Sequence, residues 1–132
     1  MATHNSLFAE KDVTRREDGI SVSVQIPWYR SLWLSAVDNV EVNVNGVSVP
    51  KDRLRFDLAG RSYAIDELPE QSETLWFLSD RPDIVIQLDE VPAAGDKLTV
   101  EVVLTMRLLY MQIAPGRYVT NRVPVEREVV LA

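Results

Sequence analysis

The chain has 132 residues, of which 46% are hydrophobic and 26% charged, and this composition predicts one globular domain that folds without a metal or disulfide. Its formal net charge of -6 argues against a nucleic acid or an anionic membrane surface as the partner. Because the sequence contains no cysteine, disulfides, thiolate nucleophiles and zinc-thiolate sites are excluded.

The only histidine, His4, stands in a polar segment near the N-terminus. A catalytic triad, a histidine general base or a His-rich metal centre would depend on this one residue. We therefore expect no catalytic residue, metal or cofactor in this chain, and we expect any chemistry to take place in a catalytic partner.

No apolar run approaches the roughly 18 residues that a membrane span requires. The N-terminus, MATHNSLFAEKD, also lacks the basic stretch and apolar stretch of a secretory signal peptide. These two features predict a cytoplasmic protein without a membrane partner.

Residues 1–19 are polar, with Leu7 and Phe8 as the only apolar anchors, and they predict an N-terminal arm that ends in a turn at Gly19. The next segment alternates apolar and polar residues from Ile20 to Ile26, which predicts a half-buried strand that Pro27 ends.

An aromatic cluster follows this strand, comprising Trp28, Tyr29, Arg30 and Trp33. Aromatic side chains beside an arginine are typical of interfaces and of surfaces that stack on sugars. The same residues would equally suit a cap that covers the core at the edge of a sheet. Both interpretations remain open at this point.

Two hairpins are predicted next. Asn45-Gly46 favours a two-residue turn, because both positions of such a turn require a positive φ, and the turn would pair Val44 with Val47. Around Ala59-Gly60 the alternation predicts a second hairpin, in which Phe56 faces Tyr63.

The acidic segment Asp66 to Glu73 predicts a solvated loop or a single helical turn, since it lacks the spacing of a calcium loop. Leu75 to Leu78 predicts a short apolar strand, and Ile84 to Leu88 another. The loop Pro92 to Lys97 is interpreted as a hairpin connection into the strand that follows.

Leu98 to Met111 predicts one long central strand. Its even-numbered residues are apolar and form a core face, whereas the opposite face begins polar and becomes apolar towards its C-terminal end. The chain then turns at Pro115 to Tyr118, and residues 115–132 predict either an edge strand or an arm that docks on another subunit.

About eight short strands joined by Gly, Pro, Asn and Asp turns are typical of an all-β, antiparallel β-sandwich, which we assign to residues 20–114. This fold does not by itself indicate a function, because sandwiches serve lectins, adaptors, receptors and enzymes alike.

The order of several short motifs adds a family resemblance. The motifs, in chain order, are Ile26-Pro27-Trp28-Tyr29-Arg30, Val42-Asn43-Val44-Asn45-Gly46, Val49-Pro50, Phe56, Tyr63, Ile65-Asp66-Glu67-Leu68, Trp76, Val100, Arg107 and Tyr110-Met111. In this order and spacing, over roughly residues 20–112, the chain resembles the small β subunit of bacterial C-glycoside deglycosidases.

The resemblance implies a heteromeric carbon-carbon lyase whose larger α subunit is a TIM barrel with a divalent metal, expected to be manganese. That complex would cleave the bond between a 3-oxo sugar and an aromatic aglycone, as in flavonoid or anthraquinone C-glucosides. The β subunit would support the barrel and cover its active site, and the isolated chain would be inactive.

On this hypothesis the contact surface with the α subunit, or the rim of its active site, consists of aromatic residues and arginines, which dominate the energetics of interfaces. The residues so predicted are Trp28, Tyr29, Arg30, Trp33, Tyr110, Arg117 and Tyr118.

Two alternatives belong to other functional classes. The first is a free-standing carbohydrate-binding module in which Trp28, Tyr29 and Trp33 stack on sugar rings; the missing signal peptide argues against it. The second is a sandwich that only promotes the oligomerisation of an unrelated enzyme.

Overall fold

The structure, a computed structural model, describes residues 7–26, 31–114 and 117–131, and for residues 108–114 and 117–119 it describes the backbone. Eleven antiparallel strands lie in these ranges, three of them only two residues long. The strands are β1 (Val13–Arg16), β2 (Gly19–Ser23), β3 (Leu32–Trp33), β4 (Val37–Val44), β5 (Val47–Ser48), β6 (Leu54–Leu58), β7 (Arg61–Ala64), β8 (Leu75–Trp76), β9 (Asp83–Gln87), β10 (Lys97–Ala114) and β11 (Arg117–Val130).

The strands form two main sheets and one small one. The larger sheet has the order β1-β2-β9-β6-β7, the second has the order β11-β10-β4-β5, and β3 pairs with β8 alone. Short 3₁₀ helices connect them at Glu10–Asp12, Leu34–Ala36, Lys51–Arg53 and Ile65–Glu70. The prediction of an all-β, antiparallel sandwich is therefore confirmed.

The core lies between the two main sheets. Ile20, Ile84 and Phe56 of the larger sheet are fully buried, as are Val100 and Val102 of β10 in the second sheet. The even-numbered residues of β10 from Leu98 to Met106 belong to this core, as their period of two predicts. Val103 on the opposite face is also buried, so β10 is covered on both sides at this point.

The two predicted hairpins have the registers that their turns dictate. Val44 pairs with Val47 and Phe56 with Tyr63. Asn45 and Gly46 both have a positive φ, as the turn requires. Val47 itself is 69% exposed, because β5 is a two-residue edge strand that projects beyond the core.

The N-terminal segment differs from the predicted arm. Residues 13–16 form β1, which pairs along its length with β2 at the edge of the larger sheet. Only Val13 of β1 is buried, so the strand lacks the apolar alternation by which a strand is recognised in a sequence. Leu7 and Phe8 are buried, and the carbonyl of Leu7 accepts a hydrogen bond from the Gln25 amide.

Two predicted connections are corrected. The loop of residues 92–97 is not a hairpin turn, because β9 lies in the larger sheet and β10 in the second sheet, so the loop crosses between them. Arg117 and Tyr118 do not belong to a turn but begin β11, which pairs with β10 over almost its whole length. Pro115 and Gly116 lie outside the described residues.

Beyond Met106, where its pairing with β4 ends, β10 pairs with β11 alone. The segment from Arg107 to Ala114 corresponds to roughly 25 Å of strand at about 3.3 Å per residue. Within the described ranges, no helix combines the length and the apolar character needed to cross a membrane.

We expect Gly19→Ala to destabilise the fold, because a Cβ at this position would lie 1.9 Å from the carbonyl oxygen of Ile86. Relief of this clash requires β2 and β9 to separate, at a cost of about 2–3 kcal/mol in the free energy of unfolding. Urea denaturation measures this loss. Gly60→Ala is the control, since it meets only the cost of a positive φ in open space, about 1 kcal/mol. Equal losses for the two variants would contradict the steric argument.

We expect Ala59→Asn to stabilise the fold by about 0.5–1 kcal/mol, because Ala59 has a φ of 53° and asparagine tolerates this conformation better than alanine. Thermal unfolding of the variant measures the gain. Ala94→Asn, in an exposed loop without a positive φ, should leave the stability unchanged. A gain of the same size at Ala94 would refute a backbone origin of the effect.

Candidate functional site

Of the seven residues predicted to form the contact surface, Trp33 is described with its side chain, which is 48% exposed in β3. Trp28, Tyr29 and Arg30 lie outside the described residues. For Tyr110 in β10 and for Arg117 and Tyr118 in β11 the structure describes the backbone, in a stretch where β10 bulges relative to its partner. The role of these residues stays a prediction.

Around Trp33 the structure places two further exposed apolar residues. Trp33 lies opposite Leu75 in the β3–β8 pair, and the chain continues from β8 into Phe77, which is 54% exposed, and Leu78, which is 49% exposed. We call Trp33, Phe77 and Leu78 the apolar patch. Large apolar side chains exposed together on one surface are typical of a binding site for another molecule.

The β3–β8 pair that carries the patch is fixed to the core by its second tryptophan. Trp76 is fully buried and packs edge-on against Phe56, with ring centroids 5.6 Å apart. Its indole N–H donates a hydrogen bond of 3.2 Å to the carbonyl oxygen of Asp80. The Leu78 amide donates to the Ser31 hydroxyl oxygen at 2.7 Å, so the chain after β8 is bound to the residue that precedes β3.

Arg107 fastens the same region to the central strand. Its guanidinium donates hydrogen bonds to two backbone carbonyl oxygens. Nε lies 3.1 Å from the Ser35 oxygen, and Nη2 lies 2.7 Å from the Pro69 oxygen. The side chain is 19% exposed, and a carboxylate oxygen of Asp38 lies 3.9 Å from Nε. One side chain of β10 therefore holds both the segment that leaves β3 and the 3₁₀ helix Ile65–Glu70.

Backbone hydrogen bonds complete this attachment. The Leu34 amide donates to the Thr74 carbonyl at 2.7 Å, and the Ser35 amide donates to the Gln71 carbonyl at 3.1 Å. The chain before β8 and the chain after β3 are thus bound to each other as well as to β10. The apolar patch consequently rests on a rigid support, in contrast to a loop that must order on binding.

Sequence reasoning missed Phe77 and Leu78 as surface residues, since it assigned them to a short apolar strand, whereas β8 ends at Trp76. The signal was present in the run Leu75-Trp76-Phe77-Leu78. Successive residues of a strand point to opposite faces, so four consecutive large apolar residues cannot all enter one core. Trp76 is buried here, and its apolar successors Phe77 and Leu78 remain exposed.

A second surface lies at the other end of β10, where the two main sheets part. It is an open groove of about 700 Å³. Apolar and charged groups alternate along it, and an ion pair of 2.6 Å between Arg53 and Asp89 stands at its rim. It is lined by Val44, Asn45, Val47, Ser48, Val49, Pro50, Arg53, Gln87, Leu88, Asp89, Glu90, Val91, Pro92, Asp96, Lys97 and Leu98.

The acidic segment after β7 has structural partners. Asp66 forms an exposed ion pair of 3.2 Å with Lys51, and the Glu67 carboxylate accepts a hydrogen bond of 2.8 Å from the Ala64 amide at the start of the 3₁₀ helix. Within residues 7–26, 31–114 and 117–131, no three acidic or histidine side chains come together as metal ligands would.

Comparison with known proteins identifies relatives of this chain. A family model described as C-glycoside deglycosidase beta subunit matches residues 3–110. A C-glycoside deglycosidase beta subunit from Arthrobacter globiformis is 67% identical over 132 residues, which is 100% of both chains. This match extends beyond residues 20–112, to which the sequence resemblance was confined.

Two relatives from Microbacterium are more distant. The 3'-dehydrocarminate deglycosidase beta subunit of a Microbacterium species is 26% identical over 108 residues, covering 82% of this chain and 80% of that protein. A C-glycoside deglycosidase beta subunit from Microbacterium trichothecenolyticum is 32% identical over 103 residues, covering 76% and 77%. Each of these relatives is named as a beta subunit.

We expect Arg107→Met to lower the free energy of unfolding by about 2–4 kcal/mol, because it leaves the carbonyl groups of Ser35 and Pro69 without their charged donor. Arg55→Met is the matched control. Arg55 also donates two hydrogen bonds, both to Ser62, but it is exposed, so its loss should cost less than about 1 kcal/mol. Urea denaturation compares the two variants, and equal losses would show that Arg107 does not fasten the fold.

Proposed function

Because the chain belongs to the family of C-glycoside deglycosidase β subunits, we propose that it is the non-catalytic β subunit of a heteromeric carbon-carbon lyase. The complex cleaves the bond between a 3-oxo sugar and an aromatic aglycone, such as a flavonoid or an anthraquinone. The observation that carries this proposal is the 67% identity with the Arthrobacter globiformis protein over the full length of both chains.

The chemistry requires groups that the described part of this chain does not bring together. The 3-oxo group acidifies the hydrogen at C2 of the sugar, so a base can remove it as a proton. The electron pair left at C2 then forms a double bond between C1 and C2, and the bond between C1 and the aglycone carbon breaks. The aglycone carbon takes up a proton. Such a reaction needs a positioned base, and a Lewis acid at the oxygen of the enolate assists it.

Among the residues that the structure describes, no group of side chains fits a resident metal. The single histidine of the sequence is His4, which lies outside the described residues, and no cysteine is present. In the acidic segment between residues 66 and 73, Asp66 forms an exposed ion pair and Glu67 caps the 3₁₀ helix. We therefore assign the divalent metal, expected to be manganese, to a TIM-barrel α subunit.

The role of this chain in the complex is to support the α subunit and to cover its active site. The chain has a fully buried core, an apolar patch on a fixed support and a net charge of -6. These features suit a subunit that presents a rigid surface to its partner better than they suit a flexible appendage. The same features fit an enzyme that works in the cytoplasm, where we place the complex.

The test is reconstitution. The chain is purified alone and co-expressed with the α subunit encoded in the same genome, and each preparation is given a 3-oxo C-glucoside. We expect turnover by the co-purified complex and none by either subunit alone. Dialysis against a chelator should abolish the turnover while the subunits remain together, and manganese should restore it.

Three results would contradict the proposal. Turnover by the isolated chain would show that it carries its own catalytic groups. Binding of oligosaccharides by the isolated chain in calorimetry, combined with failure to co-purify with the α subunit, would favour a carbohydrate-binding module. Stable association with an unrelated enzyme would instead favour a general oligomerisation subunit.

A further inference from the structure

We infer that the apolar patch of Trp33, Phe77 and Leu78 is the anchor by which this chain binds the α subunit, an inference that rests on the proposed function. The partner it fits is a protein surface with an apolar depression that accepts aromatic side chains.

The distribution of exposed apolar residues supports this assignment. Among residues 7–26, 31–107 and 120–131, whose side chains the structure describes, six large apolar residues are exposed, and the three outside the patch are the valines Val47, Val91 and Val130. The patch holds both aromatic members of the set: Trp33 lies opposite Leu75, and Phe77 follows Leu75 by two residues. A few aromatic residues that share one surface carry most of the binding energy in protein interfaces, whereas valine is under-represented among such residues.

The support of the patch points in the same direction. Trp76 is fully buried beneath it, and Arg107 and the Ser31 hydroxyl hold the chain on either side. A surface that is already fixed loses little conformational entropy when a partner covers it. Three exposed apolar side chains on such a support favour a permanent partner over solvent.

The extent of the family match agrees with this assignment. The family model covers residues 3–110, which include β3, β8 and the whole patch. The groove residues lie in the same range, so the choice between the two surfaces depends on their chemistry.

The groove at the other end of β10 is the main competitor, and its chemistry is less suitable. Asp89, Glu90, Asp96 and Lys97 line it, and Arg53 is already paired with Asp89. Charged residues are depleted in the centre of interfaces because their desolvation is costly. The groove therefore supplies a control surface with exposed apolar residues of its own.

The test introduces aspartate at one exposed apolar position in the patch and at one beside the groove. Phe77→Asp and Val47→Asp each place a carboxylate at an exposed apolar position, 54% exposed in the patch and 69% exposed beside the groove. Each variant is co-expressed with the α subunit, and the dissociation constant of the purified pair is measured. We expect Phe77→Asp to weaken the complex at least about tenfold and Val47→Asp to change it by less than about twofold.

Two further measurements exclude trivial causes. The thermal unfolding temperature of each isolated variant should equal that of the wild type, since both positions are exposed. Phe77→Leu, which keeps the apolar character, should retain most of the affinity. Leu78→Asp repeats the test at a second residue of the patch, so the inference does not depend on one variant.

The inference is overturned if Phe77→Asp and Leu78→Asp bind the α subunit as tightly as the wild type, or if Val47→Asp weakens binding as much as they do. Loss of oligosaccharide binding in Phe77→Asp, with assembly intact, would identify the patch as a sugar site instead. If the wild-type chain itself does not assemble with the α subunit, the proposed function is wrong and the inference falls with it.

Discussion

Strand β10 is the element on which the rest of the structure depends, because one continuous strand connects the core, the second sheet and the apolar patch. Its first half pairs with β4 on one side and β11 on the other, and it buries Val100, Val102 and Leu104 against the larger sheet. At Arg107, where the pairing with β4 has ended, the same strand holds the carbonyl groups of Ser35 and Pro69. The central strand therefore also holds the chain that directly follows Trp33, beside the patch.

Much of this fold could be predicted from the sequence, because local chemistry decides it. Asn45-Gly46 specifies a tight turn, and the turn specifies the register of Val44 with Val47. The apolar period of two from Leu98 to Met106 identifies the core face of β10. In each case the residues that determine the structure are neighbours in the sequence, so a period or a turn motif suffices.

The features that sequence reasoning missed depend on contacts between distant residues. The loop of residues 92–97 resembles a hairpin turn, but which sheet a strand joins is decided by its partners, and β9 and β10 have different ones. β1 escapes recognition because it is an edge strand with one buried residue. The run Leu75 to Leu78 indicates that some of its apolar residues are exposed, but the contact of Trp76 with Phe56 decides which face is buried, and Leu78 lies beyond the end of β8.

The family was accessible from the sequence by a different route. The single histidine and the lack of cysteine led us to expect a catalytic partner, but that argument names no reaction. The family resemblance led to the proposed reaction, and the full-length match with the Arthrobacter globiformis protein confirms the family. The structure adds a contrast between two surfaces, since it separates an aromatic surface held by Trp76 and Arg107 from a charged groove at the opposite end of β10.

The central claim is that this chain acts by presenting one end of its sandwich to a catalytic partner. Hydrogen exchange of the chain, measured alone and in complex with the α subunit, tests it most directly because backbone amides covered by a partner exchange more slowly. The account predicts increased protection in residues 31–36 and 74–82, with residues 44–50 and 88–97 unchanged. Protection confined to residues 44–50 and 88–97 would contradict it.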